Sequence, residues 1–412
     1  MADSAENSFG ARLAVFRHPG FGAYWGVLVA TGLAVQIQTV AVGWQVYDLT
    51  RDPLDLGLVG LSQFLPALLL VAVTGAVSDR FPRRNVLAVC LLAMAVGSTA
   101  LLALTLGGSP GVGYIFAVIA FFGAARAFYN PARQSILANL VPPEDLPSAI
   151  AVNSITNQIA TICGPVAGGL LFGLDPRAAY GTSLALFGVS AVCATGIPVL
   201  RQRLVRGGRS WQMLSAGFRY IRGEKVVLGA ISLDLFAVLL GGAIGLLPVY
   251  ARDILEVGPT GLGVLRAAPA AGAIAMGLYL VARPIRDHAG RTMFAAVAAF
   301  GAATLIFGVS KLLWLSVAAL AMAGASDMIS MYVRSTLIQL RTRDDLRGRV
   351  NAVNQVFIGA SNELGAFRAG VMAALIGPVA AVVVGGAGTL AIVGLWLRLF
   401  PGLARIRRLT EQ

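Results

Sequence analysis

Asp79-Arg80-Phe81-Pro82-Arg83-Arg84 is a tight turn dense in charge. An apolar run, Leu56 to Val77, precedes it, and another, Asn85 to Leu106, follows. Each run is long enough to cross a bilayer as a helix, which takes about 20 apolar residues. With Gly75 upstream the pattern reads Gly-x-x-x-Asp-Arg-x-x-Arg-Arg. The turn therefore joins two membrane-crossing helices at one face of the membrane.

Composition extends this reading to the whole chain. Its 412 residues are 57% hydrophobic and 12% charged, with a mean hydropathy of +0.78, whereas soluble domains carry about 25% charged residues. Such a chain needs lipid as its solvent on most faces. Twelve spanning helices would use roughly 240 residues, leaving enough for loops and no separate soluble domain. Residues 1–20 are short and polar and lack the basic-then-apolar layout of a cleavable signal peptide, so the first span is expected to be its own insertion signal. A net charge of +13 would suggest nucleic acid in a soluble protein. Here the positive-inside rule accounts for it, and no nucleic-acid partner is expected. Cys90, Cys163 and Cys193 lie in apolar stretches and read as packing residues rather than disulfide partners. His18 and His288 fall in loops and no Cys/His cluster occurs, so no metal site is indicated. Gly385-Gly386-Ala387-Gly388 reads as helix packing, and no phosphate-binding Gly-x-x-x-x-Gly-Lys-Ser/Thr loop is present. Without a nucleophile–base set, enzymatic activity is not expected.

Spans are expected near 21–46, 55–78, 85–106, 112–138, 147–173, 178–200, 226–250, 260–283, 291–310, 313–340, 350–373 and 378–400. Of the 32 Lys and Arg, 23 then fall on the side that holds both termini and the 201–225 loop. Four, Arg51, Arg177, Arg252 and Lys311, fall on the other side. This asymmetry assigns both termini to the cytoplasm. The expected organisation is a six-helix bundle over 1–200, a cytoplasmic linker over 201–225 and a second six-helix bundle over 226–412. The linker opens with Arg201, Arg203, Arg206 and Arg209, suited to anionic headgroups. Ser210 could cap a short helix. Trp211, Leu214, Phe218 and Ile221 recur at three- and four-residue spacing, an apolar stripe expected to lie in the membrane interface.

The halves repeat. Gly60-x-x-Gln63-x-x-Pro66 matches Gly263-x-x-Arg266-x-x-Pro269, and Asp79-x-x-x-Arg83 matches Asp287-x-x-x-Arg291. Gly123-Ala124, Arg133, Ala151-Val152-Asn153 and Gly164 match Gly324-Ala325, Arg334, Ala352-Val353-Asn354 and Gly365, all displaced by 201. Asp145-Leu146 likewise matches Asp345-Leu346. Two parallel six-helix repeats bind substrate near the midplane, where the halves meet.

Charged groups at membrane depth are the candidate functional residues, since each costs about 2.5–3.5 kcal/mol at a helix centre on insertion scales. The fourth span carries Arg126, Asn130 and Arg133 on one face. The tenth carries Asp327, Met331 and Arg334 at matching positions. Arg126 and Asp327 are expected to line a transport path with opposite charges; a static buried ion pair, or pairing elsewhere, is the alternative. Asp234 in the seventh span and Glu363 in the eleventh are further buried carboxyls. Desolvation raises a carboxyl's proton affinity, as a group that takes a proton from one side and releases it to the other requires. Glu363 and Arg368 are about 140° apart around their helix and should face different neighbours. Gln38 and Gln45 share a face of the first span, and the fifth offers Asn153, Asn157 and Thr161. Such amides bind substrate or tie helices together. Arg266, in the eighth span, could bind an anionic group or snorkel. In the fifth span Gly164-Pro165-x-x-Gly168-Gly169 combines a helix-bending proline with glycines that admit a close neighbour.

These residues resemble the major facilitator superfamily over nearly the whole chain. The loop pattern of Gly75, Asp79, Arg80, Arg83 and Arg84 is similar to that superfamily's signature between helices 2 and 3. Trp44-Gln45-Val46-Tyr47-Asp48-Leu49-Thr50, Asn130-Pro131-Ala132-Arg133-Gln134 and Arg347-Gly348-Arg349-Val350 look like its enterobactin-exporter-like group. The resemblance implies export of a small organic molecule, such as a siderophore or drug, across the bacterial inner membrane, driven by proton exchange with no other cofactor. It also implies a carrier expected to act as a monomer in the lipid bilayer. In this resemblance Asp79 braces the cytoplasmic gate, and Gly164, Pro165, Gly168 and Gly169 match the antiporter motif of drug exporters. Arg126 sits deeper than the arginine of proton-coupled relatives, so their proton route does not carry over. An importer or lysophospholipid flippase of the same fold, or a transport-inactive scaffold or sensor, are the competing readings.

Overall fold

A computed structural model of the chain describes residues 15–108, 111–199, 210–285 and 287–407. Arg201, Arg203, Arg206 and Arg209 lie outside the described residues, as do the side chains of Asp79, Trp211 and Leu214. Among the described residues there is no strand. The long helices of the first half are α1 (Phe21–Thr50), α2 (Pro53–Arg80), α3 (Arg83–Leu106), α4 (Val112–Leu140), α5 (Leu146–Leu174) and α6 (Pro176–Thr195). Those of the second half are α7 (Lys225–Gly241), α8 (Gly258–Ala282), α9 (Ala289–Val309), α10 (Leu313–Arg341), α11 (Asp344–Ile376) and α12 (Pro378–Leu399). A linker helix, Ser210–Gly223, stands between them. The chain is thus an all-α integral membrane protein of twelve spanning helices.

Punctuation in the sequence sets the helix ends. Pro53, Pro176 and Pro378 open their helices, where the missing N–H has no partner to lose. The Asp175 carboxylate accepts from the Arg177 N–H at 2.7 Å and caps α6. Gly377, at φ +86°, turns the chain between α11 and α12 in a conformation that side-chain-bearing residues resist.

Two spans depart from a simple hydrophobic rod. Eleven stretches are long and apolar enough to cross a membrane among the described residues. The remaining helix, α11, is 33 residues long but carries Arg347, Arg349, Glu363 and Arg368, so its crossing rests on length and fold rather than apolarity. The seventh span, expected as one helix over 226–250, breaks after Gly241. Gly242 is extended at φ −65°, ψ 90°, and a 3-10 turn (Ile244–Leu246) and a π turn (Tyr250–Ile254) complete the crossing. Adjacent glycines lower the cost of leaving the helix there.

The chain forms two compact units. The first comprises residues 1–45 and 62–206, and the second residues 46–61 and 207–412. The end of α1 and the start of α2 therefore belong to the unit that contains the second half. In it Gly57 and Gly60 let α2 lie against α11: a methyl on Gly57 would sit 3.0 Å from the Phe367 carbonyl oxygen. Each unit's main core comes chiefly from equivalent helices. Leu87, Leu91, Met94, Phe122, Ile136 and Phe187 join α3, α4 and α6 with α1 in the first. Leu233, Met293, Phe294, Val333, Leu337 and Trp396 join α7, α9, α10 and α12 in the second. Lipid tails are as apolar as these side chains, so close packing and interhelical hydrogen bonds hold the bundles.

The linker helix is docked, not only amphipathic. Ile221 is fully buried among Val227, Ile231, Ile338, Val350 and Val353. The Tyr220 hydroxyl donates to the Arg341 carbonyl at 2.5 Å. Phe218 of the expected stripe is half-exposed and meets Phe357 edge-on.

Candidate functional site

Each unit holds a cavity among its spanning helices, polar in the first and mostly apolar in the second. In the first unit α1, α4 and α5 enclose about 180 Å³, lined among others by Gln36, Arg126, Asn130, Arg133, Asn157 and Thr161. The one-face spacing of Arg126, Asn130 and Arg133 places all three on this wall, as the helical period requires. The Arg133 guanidinium donates to the Asn157 side-chain oxygen at 3.4 Å and lies 5.9 Å from the Tyr129 ring centroid, within cation–π range. Its Nε is buried without a hydrogen-bond partner. The Gln36 amide donates to Thr161 at 3.4 Å.

The sequence points to Gln38 and Gln45 rather than to Gln36, and those two face elsewhere. Both are buried. Ser98 of α3 donates to Gln38. Gln45 donates to Thr105 at 3.1 Å and accepts from Tyr180 of α6 at 2.6 Å. They tie α1 to α3 and α6. Gly164, Pro165, Gly168 and Gly169 are all buried. A methyl on Gly164 would lie 2.4 Å from Gln36 Cβ, and one on Gly168 would lie 2.9 Å from Ile37 Cα. The motif thus lets α5 approach the α1 backbone beside the cavity.

In the second unit a cavity of about 130 Å³ opens at the α7 break, lined by Gly241, Gly242, Pro269, Thr304, Asp327 and Asn362, among others. Asp327 brings a carboxyl to this wall. Arg368 does not face the cavity chemistry directly. Its Nε donates to the Leu239 carbonyl at 2.9 Å and its Nη2 to the Leu240 carbonyl, so a guanidinium from α11 caps the last turn of α7. Hydrogen bonds to a charged group contribute about 1.5–3 kcal/mol. Arg368→Met should therefore lower the chain's unfolding free energy by about that amount, read by denaturation in detergent micelles; an unchanged midpoint would remove this role.

The remaining candidates have structural partners. Asp234 of α7 is ion-paired with Arg334 of α10, and both are buried. Glu363 lies beside α2, where a methyl on Gly60 would be 3.0 Å from its carboxylate oxygen, and it acts electrostatically on Arg266. In the signature turn Arg83 donates to the Ser135 carbonyl of α4 at 3.3 Å, and Arg80 is exposed. A further group escaped the sequence reading. Tyr47 donates to Asp253, Arg51 pairs with Asp253 at 3.3 Å, and Arg252 pairs with Asp48. The signal was present: Asp48 and Asp253 occupy equivalent ends of the first and seventh spans under the repeat.

The comparisons agree with this architecture. A family model described as Major Facilitator Superfamily matches residues 24–366. The chain is 25% identical over 404 residues to "Enterobactin exporter EntS" of Escherichia coli O1:K1 / APEC, covering 96% of this chain and 95% of that protein. Among solved structures it resembles a bacterial homolog of the human lysosomal transporter Spinster in an inward-facing, unoccupied conformation. There the TM-score is 0.71 at 13% identity, with 96% of each chain covered. It also resembles a mutant of the nucleoside transporter NupG, with a TM-score of 0.71 at 14% identity, covering 92% of this chain and 100% of that one. At those identities the structures establish the fold, and the family match extends over most of the chain. Twelve spans in repeated sixes and a signature turn after the second are thus the features of a membrane transporter that belongs to the major facilitator superfamily.

Proposed function

We propose that the chain exports a small organic molecule across the bacterial inner membrane by alternating access, in exchange for protons. The observation that carries this reading is the first unit's cavity: two arginines, two asparagines and a glutamine gathered at membrane depth on α1, α4 and α5. Polar groups are costly there, and a carrier needs them to replace the water that a polar solute leaves behind. The direction follows the relatives, whose printed name is that of an exporter; a siderophore or a drug-like compound is the substrate class. Asp327 is the proton carrier, a carboxyl on a cavity wall where α7 is broken and can rearrange. Arg80, Arg83, Arg84, Gly75 and Asp79 form the gating turn, with both termini cytoplasmic. The carrier works as a monomer, and the proton gradient is its energy source.

Inverted proteoliposomes with an acidic lumen test the proposal. Enterobactin, or a drug-like dye from a panel, should accumulate against its gradient. Asp327→Asn should reduce that uphill accumulation at least tenfold while substrate-for-substrate exchange continues. Absence of flux for every compound would favour a scaffold or sensor. Flux indifferent to the pH gradient and to Asp327→Asn would end the antiport reading.

A further inference from the structure

The two units treat equivalent arginines in opposite ways. Arg334 of α10, displaced by 201 from Arg133, is neutralised by Asp234 of α7. Subtracting the repeat offsets of 200–208 from Asp234 leads to residues 26–34 of α1, Gly-Val-Leu-Val-Ala-Thr-Gly-Leu-Ala, which include no acid. Nor does the rest of the first unit supply one at membrane depth. Its acidic residues are Asp3, Glu6, Asp79, Glu144, Asp145 and Asp175, all before α1, in loops or at helix ends. Arg133 instead meets a neutral amide oxygen and an aromatic ring, and its Nε is buried without an acceptor. Arg126 lines the same cavity two turns away on the same helical face. Among the described residues, the lining of this cavity thus includes two guanidinium groups and no carboxylate.

An arginine kept at membrane depth without a carboxylate in its own bundle suits a ligand that brings one. The planar guanidinium fork matches a carboxylate with two parallel hydrogen bonds, and a low-dielectric wall strengthens the attraction. About 180 Å³ accommodates such a head group and part of a ring, with the rest of the molecule outside. We propose that this cavity is the anion subsite of the carrier, and that the exported molecule is an organic anion whose carboxylate docks on Arg133 and Arg126. Asn130, Asn157 and Thr161 supply the neutral hydrogen bonds around it. The inference rests on the export reading and adds the charge of the substrate.

Two xanthene dyes that share a ring system, anionic 5-carboxyfluorescein and cationic rhodamine 123, provide the test. Binding to the purified full-length chain in lipid nanodiscs is read by fluorescence anisotropy. The chain should bind 5-carboxyfluorescein at least tenfold more tightly than rhodamine 123. Arg133→Gln and Arg126→Gln should each weaken the anion at least tenfold, while Arg133→Lys should lose less than Arg133→Gln. Thr161→Asp keeps both arginines and places a carboxylate in the cavity, so it should also displace the anion; it guards against a Gln variant that fails to fold. Equal binding of both dyes, or an anion affinity unmoved by the Gln and Asp variants, overturns the subsite. Flux of dyes in proteoliposomes is scored separately. Arginine-dependent binding without flux sinks export and leaves the subsite standing, whereas flux that ignores charge and both arginines does the reverse.

Discussion

Asp234→Asn is expected to destabilise the second unit by about 3–5 kcal/mol, the usual consequence of removing one partner from a buried ion pair. Asp234 and Arg334 are 5% and 3% exposed, so neither charge has water to turn to. Arg334 Nε already lacks a hydrogen-bond partner, and α7 and α10 contribute Ala230, Leu233, Val333 and Leu337 to one apolar core. An unopposed guanidinium there would recruit water or force the helices apart. The double change Asp234→Leu with Arg334→Met should recover most of the loss, since it deletes the charge along with its counter-ion. Thermal unfolding of the three proteins in the same detergent decides the matter. The pair is structural if the double variant melts above Asp234→Asn. A single variant that melts with the parent chain but loses only its response to a pH gradient would make Asp234, rather than Asp327, the proton carrier. The geometry favours the first outcome, because a shuttling carboxylate must part from its cation in every cycle.

Spans were legible because hydropathy and Pro/Gly punctuation mark the same boundaries: α9 and α10 run 289–309 and 313–341 where 291–310 and 313–340 are expected. The α7 break was not, because the carbonyls it exposes are capped by Arg368, more than 120 residues further along the chain. The sequence shows the glycine pair and gives no sign of its partner. Within the site, Arg126, Asn130 and Arg133 were visible as a polar stripe on an apolar helix, where period alone selects the face. On α1 period alone fails. Gln36 and Gln38 are about 200° apart around a helix, and both faces of α1 are packed. Which amide meets a cavity and which meets Ser98 depends on where α3 and α5 lie. The same limit hid the Asp234–Arg334 pair, whose members read in sequence as separate functional candidates. Residues 46–61 carry no composition shift, yet they belong to the second unit, because Gly57 and Gly60 offer backbone to α11 and Asp48 pairs with Arg252.

Gly324→Leu should abolish recovery of folded protein, and Gly324→Ala should already lower its thermal midpoint. At this position α10 crosses α8 with backbone against backbone. A methyl on Gly324 would lie 1.9 Å from the Pro269 carbonyl oxygen, and one on Gly272 would lie 1.8 Å from the Ala321 carbonyl oxygen. Neither obstacle can swing away, since each is main chain held in a helix. One extra methylene in a packed core costs about 1–3 kcal/mol when neighbours can adjust, and a leucine here adds four carbons against atoms that cannot. The first half repeats the arrangement at Gly123, whose added methyl would lie 2.1 Å from the Gln63 carbonyl oxygen, so Gly123→Leu should fail in the same way. A methyl added to Gly359 of α11 would meet nothing within 4 Å. There Gly359→Ala should hold or raise the midpoint, as alanine is favoured over glycine in a helix interior by about 1 kcal/mol. Yield of monodisperse protein and its melting temperature separate the cases, and equal tolerance at 324 and 359 would contradict the helix contact. A consequence for the site follows from the lining of the α7 cavity, which includes Pro269, Gly324 and Asp327. Any variant that moves α10 off α8 also displaces the Asp327 carboxyl one turn away, so Gly324→Ala should weaken pH-driven accumulation even in the fraction that folds.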